Sequence, residues 1–256
     1  MQAENFILQE YFNRIGFSGD ATVDIATITK IMRCQLFSVP FENLDVQAGK
    51  GVSLIPEVIV EKIIGRNRGG YCYEVNGMFA MAMQALGVDY QLIAARPMLY
   101  PVRRPKTHMA VVIRLANESW LCDLGFGSCG LRAPMLLSLV DTEIKQDSET
   151  FLLTKISERE YLLKALVEGE WANQYAFDLC PQEWIDFEPA NYLNSTHPDA
   201  LFVQKLLVVL HNPKGKDILF GDMLKTVENG IVKKQTISEN NCEAILSSKF
   251  GLTAAQ

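Results

Sequence analysis

The spacing of apolar residues divides the chain into two regimes. Up to about residue 90 apolar positions recur at helical intervals. NFILQEYFNRIGF (5–17) repeats them every three or four residues and stops at Gly16, and DIATITKIMRCQLF (24–37) does the same before a turn at SVPFEN. IPEVIVEKIIG (55–65) predicts a third helix, with Pro56 in its first turn, where a missing N–H costs nothing. YEVNGMFAMAMQALG (73–87) predicts a fourth, with Val75, Phe79, Met83 and Leu86 on one face and Gly87 suited to C′. Beyond residue 88 the period falls to two, or to short apolar runs. DYQLIAARPML (89–99), HMAVVIRL (108–115), SWLCDLGFG (119–127), FLLTKIS (151–157), EYLLKALV (160–167) and NQYAFDLC (173–180) read as strands between turns. They predict an antiparallel barrel or strongly bent sheet over about 88–190. PDALFVQKLLVVLH (198–211) starts as a helix and passes into a strand. DILFGDMLKTVENGIVKKQTIS (217–238) reads as strands with a hairpin at Glu228-Asn229-Gly230, because Asn-Gly supports the positive-φ turn. ENNCEAILSSKFG (239–251) is a closing helix with asparagine capping. No repeat or low-complexity linker separates these regions, so they are expected to pack on one another.

Composition narrows the function classes. The 256 residues suffice for a sizeable core, and 48% hydrophobic with 21% charged residues is ordinary for a globular protein. A net charge of −6 argues against a nucleic-acid partner. RRPK (103–106) is the sole dense basic run. MQAENFILQEYF has no basic segment ahead of an apolar stretch, and no apolar run reaches about 18 residues. A cytoplasmic protein without a membrane span is therefore expected. Six scattered cysteines with no CxxC pair predict reduced thiols. Three histidines, none beside a cysteine at zinc-ligand spacing, predict no metal site.

The segment RGGYCYEVN (68–76) places Cys72 directly after paired glycines and at the start of a predicted helix. A thiol there meets the positive end of the helix dipole, which favours the thiolate, and the glycines let backbone approach closely. The same pattern suits an inert cysteine packed under a helix. A nucleophile needs a base. His211 falls in a predicted loop before Asn212-Pro213, and His197 precedes Pro198. His108 opens the strand HMAVVIRL, and SWLCDLGFG follows a tight turn at Ala116–Asn117. With a two-residue hairpin loop, Asp123 falls opposite Ala110 and diagonal to His108 on one face, at roughly 7–8 Å between backbones. A three-residue loop would turn it to the other face. Asp123 also interrupts an apolar run, where a carboxylate is costly unless hydrogen-bonded; bracing the Gly125–Gly127 turn is the alternative. Cys72, His108 and Asp123 thus form a nucleophile, base and orienter, and amides near Cys72 would steady an oxyanion by roughly 3–4 kcal/mol per donor.

The chain resembles the arylamine N-acetyltransferases through VPFENLD (39–45), RGGYCYEVNGMF (68–79), THMAVVI (107–113), WLCDLGFGSCGLRAP (120–134) and, more weakly, DFEPANYLNSTHPDALF (186–202). These blocks run in order over about four-fifths of the chain. The resemblance puts the family's nucleophile, base and orienting carboxylate on Cys72, His108 and Asp123. It implies an α+β fold with an N-terminal helical bundle (1–87) bearing the nucleophile, a central antiparallel β-barrel (88–192), an interdomain segment (193–212) and a C-terminal α/β lid (213–256). The first two parts resemble the core of papain-like cysteine proteases and transglutaminases. The implied reaction is ping-pong: acetyl passes from the cosubstrate acetyl-CoA to Cys72, then to an arylamine, arylhydrazine or N-arylhydroxylamine. The resemblance also implies an Arg68–Glu42 ion pair, an acceptor pocket at Phe41, Phe126 and Ser128, and cofactor contacts at Thr107 and Gly127. Phe126, Ser128 and Gly130 alternate along the chain, which would turn one face to the cleft. Glu74 reads as a helix-start charge and receives no chemistry. Partners expected are CoA and a small aromatic amine or hydrazine, in a monomer or weak homo-oligomer. A papain-like or transglutaminase-like hydrolase with the same triad, or a binding protein without chemistry, remain the alternatives, and the acyl donor discriminates among them.

Overall fold

A computed structural model describes residues 2–127 and 129–253. The N-terminal part carries α1 (Leu8–Ile15), α2 (Ile25–Ser38), a two-residue strand β1 (Phe41–Glu42), α3 (Leu44–Gln47), α4 (Pro56–Val60) and α5 (Cys72–Ala85). Gly16 ends α1 at φ 67°, and the Asp24 side chain caps α2 by accepting the Thr27 N–H at 2.9 Å. The segment read as one helix over 55–65 changes pitch at its centre. Glu61–Gly65 form a π-helical turn, closed by the Arg66 N–H on the Glu61 carbonyl (2.9 Å). β1 falls within SVPFEN, where a turn was expected; a two-residue strand is too short to leave a period.

The strands β2 (Asp89–Pro97), β3 (His108–Leu115), β4 (Glu118–Cys122), β5 (Met135–Leu136), β6 (Glu143–Gln146), β7 (Glu149–Lys155), β8 (Glu160–Val167) and β9 (Glu170–Asp178) make one antiparallel sheet in the order β5-β4-β3-β2-β9-β8-β7-β6. The expected barrel is an open sheet, since β5 and β6 are edges without a shared ladder. It curls far enough for its edges to meet through a side chain: Gln146 of β6 accepts the N–H groups of Arg132 and Ala133 and donates to the Ala133 carbonyl, just before β5. The stretch 119–127, read as a single strand, leaves the ladder after Cys122.

After β9 come α6 (Glu188–Thr196), α7 (Leu201–Gln204), β10 (Leu207–Asn212), β11 (Gly215–Phe220), β12 (Met223–Glu228), β13 (Ile231–Thr236) and α8 (Glu239–Phe250). The second sheet runs β1-β10-β11-β12-β13, so it recruits Phe41–Glu42 from the helical part. His211, read as a loop residue, lies within β10 and is buried. The expected hairpin turn holds Asn229 and Gly230 at φ 50° and 81°. The asparagine cap expected on α8 is absent, because Ser238 occupies the N-cap.

One apolar cluster joins α2 (Ile28, Ile31, Met32) and α5 (Met78, Phe79, Ala82) to the first sheet (Ile93, Val111, Ile113, Phe151). Each such large side chain contributes about 1.5–3 kcal/mol by leaving water. A second cluster packs Val208, Leu219 and Leu224 against Leu246 and Phe250 of α8. No helix among the described residues is long and apolar enough to cross a membrane.

Candidate active site

Cys72 is the first residue of α5, and Tyr71 is its N-cap. Gly69 explains how the chain reaches this point. A Cβ there would stand 1.9 Å from the Pro40 carbonyl oxygen, so only glycine lets 68–70 lie against β1. The Gly70 N–H donates to Pro40 O (3.2 Å), and the Glu42 N–H donates to Gly70 O (3.0 Å). Beneath this contact is a buried charge cluster. Arg68 donates from Nε and Nη2 to Glu42 Oε1 at 3.0 and 2.7 Å, which is the pair expected from the resemblance. Lys62, 3% exposed, sits at the centre and reaches Asp45 Oδ2 (2.6 Å) and Glu74 Oε1 (2.7 Å). Burial pushes the Lys62 pKa down, but its three carboxylate neighbours outweigh that and hold it above the ordinary value. Glu74 does more than bias the helix dipole. Its Oε2 accepts the Tyr71 N–H (3.0 Å), fastening the first turn of α5 to this cluster.

The base and its orienter come from the β3–β4 hairpin. Ala116 and Asn117 form its two-residue loop at φ 50° and 67°, the type I′ geometry. Leu115 pairs with Glu118 and Val111 with Cys122, which is the register of the two-residue loop; the ladder ends there, one residue before Asp123. His108 Nε2 and Asp123 Oδ2 are 2.8 Å apart. Asp123 is fully buried, and its Oδ1 accepts from Asn76 Nδ2 (3.0 Å) and from the Gly125 N–H (2.9 Å). Asp123 thus hydrogen-bonds His108 and also braces the turn, so the contacts of both readings are present. Burial pushes its carboxyl up, but His108 and these donors outweigh it and leave the pKa below the ordinary 3.8.

His108 is fully buried, which alone would favour the neutral ring. The Asp123 carboxylate and the neighbouring Cys72 side chain reverse that and raise its pKa from 6.5 to about 10. With Nε2 on the carboxylate, Nδ1 is the ring nitrogen left for the thiol. Cys72 Sγ also lies 4.0 Å from the Thr107 carbonyl oxygen, which accepts from Tyr73 Oη (2.8 Å) and Asn194 Nδ2 (2.9 Å). Gly125 completes the fit. A Cβ on it would stand 2.6 Å from Cys72 Cα and 2.8 Å from Asn76 Nδ2, so the turn after Asp123 lies directly in the groove of α5.

These residues form the base of a cavity of about 300 Å³. Phe41, Thr107 and Phe126 line it, and the Phe126 ring packs on His108 (5.0 Å between centroids) and on Tyr175 (4.8 Å). Gly127 does not line the cavity; its carbonyl accepts from His211 Nε2 (3.1 Å). Ser128 lies outside the described residues. The expected alternation of Phe126, Ser128 and Gly130 therefore falls partly outside them; the Gly130 N–H donates to Gly127 O (3.3 Å). His197 lines the cleft, while His211 is held in a separate buried cluster with Arg132.

Asn76, Lys62 and Tyr175 were missed in the sequence, as were the outer walls: Leu99, Tyr100 and Arg104 before β3, Phe202 of α7, and Ile218 and Phe220 of β11. Asn76 did leave a signal, as an amide four residues after Cys72 and so on the same face of an otherwise apolar helix. The walls left none, because they are assembled from segments distant in sequence. Among the described residues no group of three or more His, Cys, Asp or Glu side chains is arranged to hold a metal ion.

The sequence profile of the family described as N-acetyltransferase matches residues 24–256. The arylamine N-acetyltransferase of Escherichia coli is 32% identical over 96% of this chain and 89% of its own. The structure of the arylamine N-acetyltransferase of Mycobacterium abscessus superposes with a TM-score of 0.90, at 31% identity, over 98% of this chain and 92% of that one. The Mycobacterium marinum enzyme, solved in complex with CoA, gives a TM-score of 0.90 at 26% identity, covering 96% and 92%. The chain is an acyltransferase and belongs to the arylamine N-acetyltransferase family.

Proposed function

We propose that this enzyme moves an acetyl group from acetyl-CoA to the nitrogen of an arylamine or arylhydrazine, or to the oxygen of an N-arylhydroxylamine, through acetyl-Cys72. The observation that carries the reading is that Cys72 and His108 line one cleft, with Asp123 buried behind His108 and hydrogen-bonded to it. A nucleophile on a helix start and a His–Asp pair on the facing strands is the papain-like and transglutaminase-like arrangement.

A protonated His108 beside Cys72 favours the thiolate. Sγ attacks the thioester carbonyl, and the π electrons move to oxygen. The N–H groups of Cys72 and Tyr73, at N1 and N2, have no acceptor within the helix and are placed to take that charge. Collapse breaks the bond to CoA sulfur, which leaves with the proton from His108. The second half reverses the roles. The aromatic amine, largely neutral at pH 7, attacks the acetyl-cysteine with its lone pair, neutral His108 takes the N–H proton, and the Cys72 thiolate departs. Asp123 keeps the ring in the orientation both halves need. Phe41 and Phe126 supply apolar walls for the aromatic acceptor, and CoA has left before the acceptor is used. The cavity is small enough to hold one ring and one acyl chain end in contact with the thiol.

Mass spectrometry of the intact protein with acetyl-CoA tests this. An acetyl adduct on Cys72 that disappears when an arylamine is added is the expected result, and Cys72→Ala should form none. Absence of the adduct, or an adduct indifferent to amine, would overturn the proposal.

A further inference from the structure

The chemistry at Cys72 uses neither of two buried residues, His211 and Arg132, which are 4% and 0% exposed. Arg132 precedes β5, and His211 belongs to β10 of the second sheet. Keeping a guanidinium out of water is costly unless its donors are matched. Here Nε reaches Asp147 Oδ2 (2.7 Å) and Nη1 reaches Glu149 Oε2 (3.4 Å). The carbonyls of Asn212 and Gly215, at the end of the β10–β11 hairpin, accept from Nη2 and Nη1. Asp147 and Glu149 also pair with Arg33 and Lys216. Arg132 is therefore one cation in a network that joins the edge of the curled sheet to the second sheet.

The remaining partner of Arg132 gives this network a direction. Nη1 stands 3.0 Å from His211 Nδ1. A guanidinium has donors and no acceptor, so Nδ1 is the unprotonated nitrogen and the ring proton sits on Nε2. Nε2 donates that proton to the Gly127 carbonyl at 3.1 Å. Burial, with the charges of Lys216 and Arg132, pushes the His211 pKa down to about 3, so the ring stays neutral at working pH.

Gly127 is the far end of the turn whose near end carries Asp123. The near end is held by the reacting machinery, with the Gly125 N–H on Asp123 and the Leu124 N–H on Asn76. The far end is held by His211 and by the Gly130 N–H, both on the Gly127 carbonyl. Phe126 lies between the two anchors, lines the cleft, and packs its ring on His108 and Tyr175. The far anchor can change without touching Asp123 or Asn76.

We propose that Arg132 and His211 are positioning residues for Phe126: through the Gly127 carbonyl they hold its ring where an aromatic acceptor is received. This rests on the acetyl-transfer reading above. Recognition of a ring is then set from the second sheet, behind the cleft, while the thiol keeps its own anchors at Glu74 and Asn76. A nitrogen nucleophile without a ring does not depend on this device.

The test offers acetyl-Cys72, formed from acetyl-CoA, to two amines: p-anisidine, which carries a ring, and hydrazine, which does not. His211→Asn puts an amide oxygen where Nδ1 was, so Arg132 keeps its acceptor, but the side chain is too short to reach Gly127. In this variant the ratio of kcat/KM for p-anisidine to that for hydrazine should fall by roughly tenfold, mainly through KM for p-anisidine. Alkylation of Cys72 by iodoacetamide should keep its native rate. His211→Gln, whose longer amide reaches Gly127, should retain most of the ratio. Phe126→Ala should lower the ratio as well, and adding His211→Asn to it should lower it no further. An unchanged ratio, equal losses for the two amines, a glutamine variant as impaired as the asparagine one, or additive losses in the double variant overturns the proposal. If the native protein forms no acetyl-Cys72, or passes its acetyl group to neither amine, the acetyl-transfer reading itself fails.

Discussion

Asp123→Asn tests the catalytic reading most sharply, because the side chains are isosteric and differ only in charge and donors. Asp123 Oδ1 accepts two N–H groups, from Asn76 and Gly125, so an asparagine must place its carbonyl oxygen there. Its NH2 group then points at His108 Nε2. That nitrogen is forced to act as acceptor, the proton moves to Nδ1, and the ring can neither hold a second proton cheaply nor accept one from the thiol. The rise in the His108 pKa from 6.5 to about 10 corresponds to ~5 kcal/mol of preference for the imidazolium. The carboxylate is the larger of the two causes of that rise and Cys72 the smaller, so loss of the carboxylate should slow acylation on the order of 10³-fold or more. The assay is the release of p-nitrophenol from p-nitrophenyl acetate in a single turnover at pH 7, with circular dichroism to establish that the variant is folded. A folded variant that acylates at a near-native rate would refute the orienting role and the charge argument together.

Three further outcomes follow from the same geometry. The pKa of His108 is raised in the folded state, so its contribution to stability is full below its ordinary 6.5 and is lost as pH climbs through about 10; that of Asp123 is lowered, so its contribution is present above 3.8 and lost on acidification. The Tm difference between native protein and Asp123→Asn should therefore be widest between those two ordinary values and shrink on either side, and a difference flat in pH would contradict the ion pair. Lys62→Met removes the cation shared by Glu42, Asp45 and Glu74 and should cost ~3–5 kcal/mol in urea unfolding; a loss below about 1 kcal/mol would show that the cluster is hydrated. Gly125→Ala places a methyl group against Cys72 Cα and Asn76, and should cost ~1–3 kcal/mol of stability. It should also slow Cys72 acylation by moving the thiol from the ring; unchanged acylation would show that the turn yields freely.

The three residues of the proposed triad were legible because each is specified locally. A glycine pair before an apolar helix locates Cys72, and Ala116–Asn117 between two apolar runs sets the hairpin that brings Asp123 beside His108. What supports them was less visible. Lys62 is one lysine in an apolar helical segment, and its three carboxylates come from Glu42, Asp45 and Glu74, apart in sequence. The π-helical turn at 61–65 and the strand at 41–42 are too short to alter a hydrophobic period. The single strand expected over 119–127 failed at Asp123, because that carboxylate takes the Gly125 N–H and the Leu124 N–H goes to Asn76, which draws the backbone out of the ladder. His211 was misjudged for the opposite reason: Asn212-Pro213 reads as a loop, yet β10 continues through Asn212 and its turn falls at Pro213–Lys214.

The start of α5 is clamped from two sides, and this separates chemistry from recognition. Toward the helical part, Glu74 ties the first turn to Lys62 and through it to Glu42 and Asp45. Toward the sheet, Asn76 holds Asp123, the Met109 carbonyl and the Leu124 N–H at once. Cys72 lies between these anchors, so its position beside His108 is set by both of them. Among the described residues the second sheet contributes to the cleft through its wall, at Phe41, Leu207, Ile218 and Phe220. Substitutions on that wall should accordingly change which donors and acceptors are accepted while sparing the reactivity of the thiol, and substitutions at Asn76 or Gly125 should do the reverse. Alkylation of Cys72 by iodoacetamide, compared with KM for each substrate, distinguishes the two groups; a wall variant that slows alkylation as much as an Asn76 variant would show that the second sheet also positions the nucleophile.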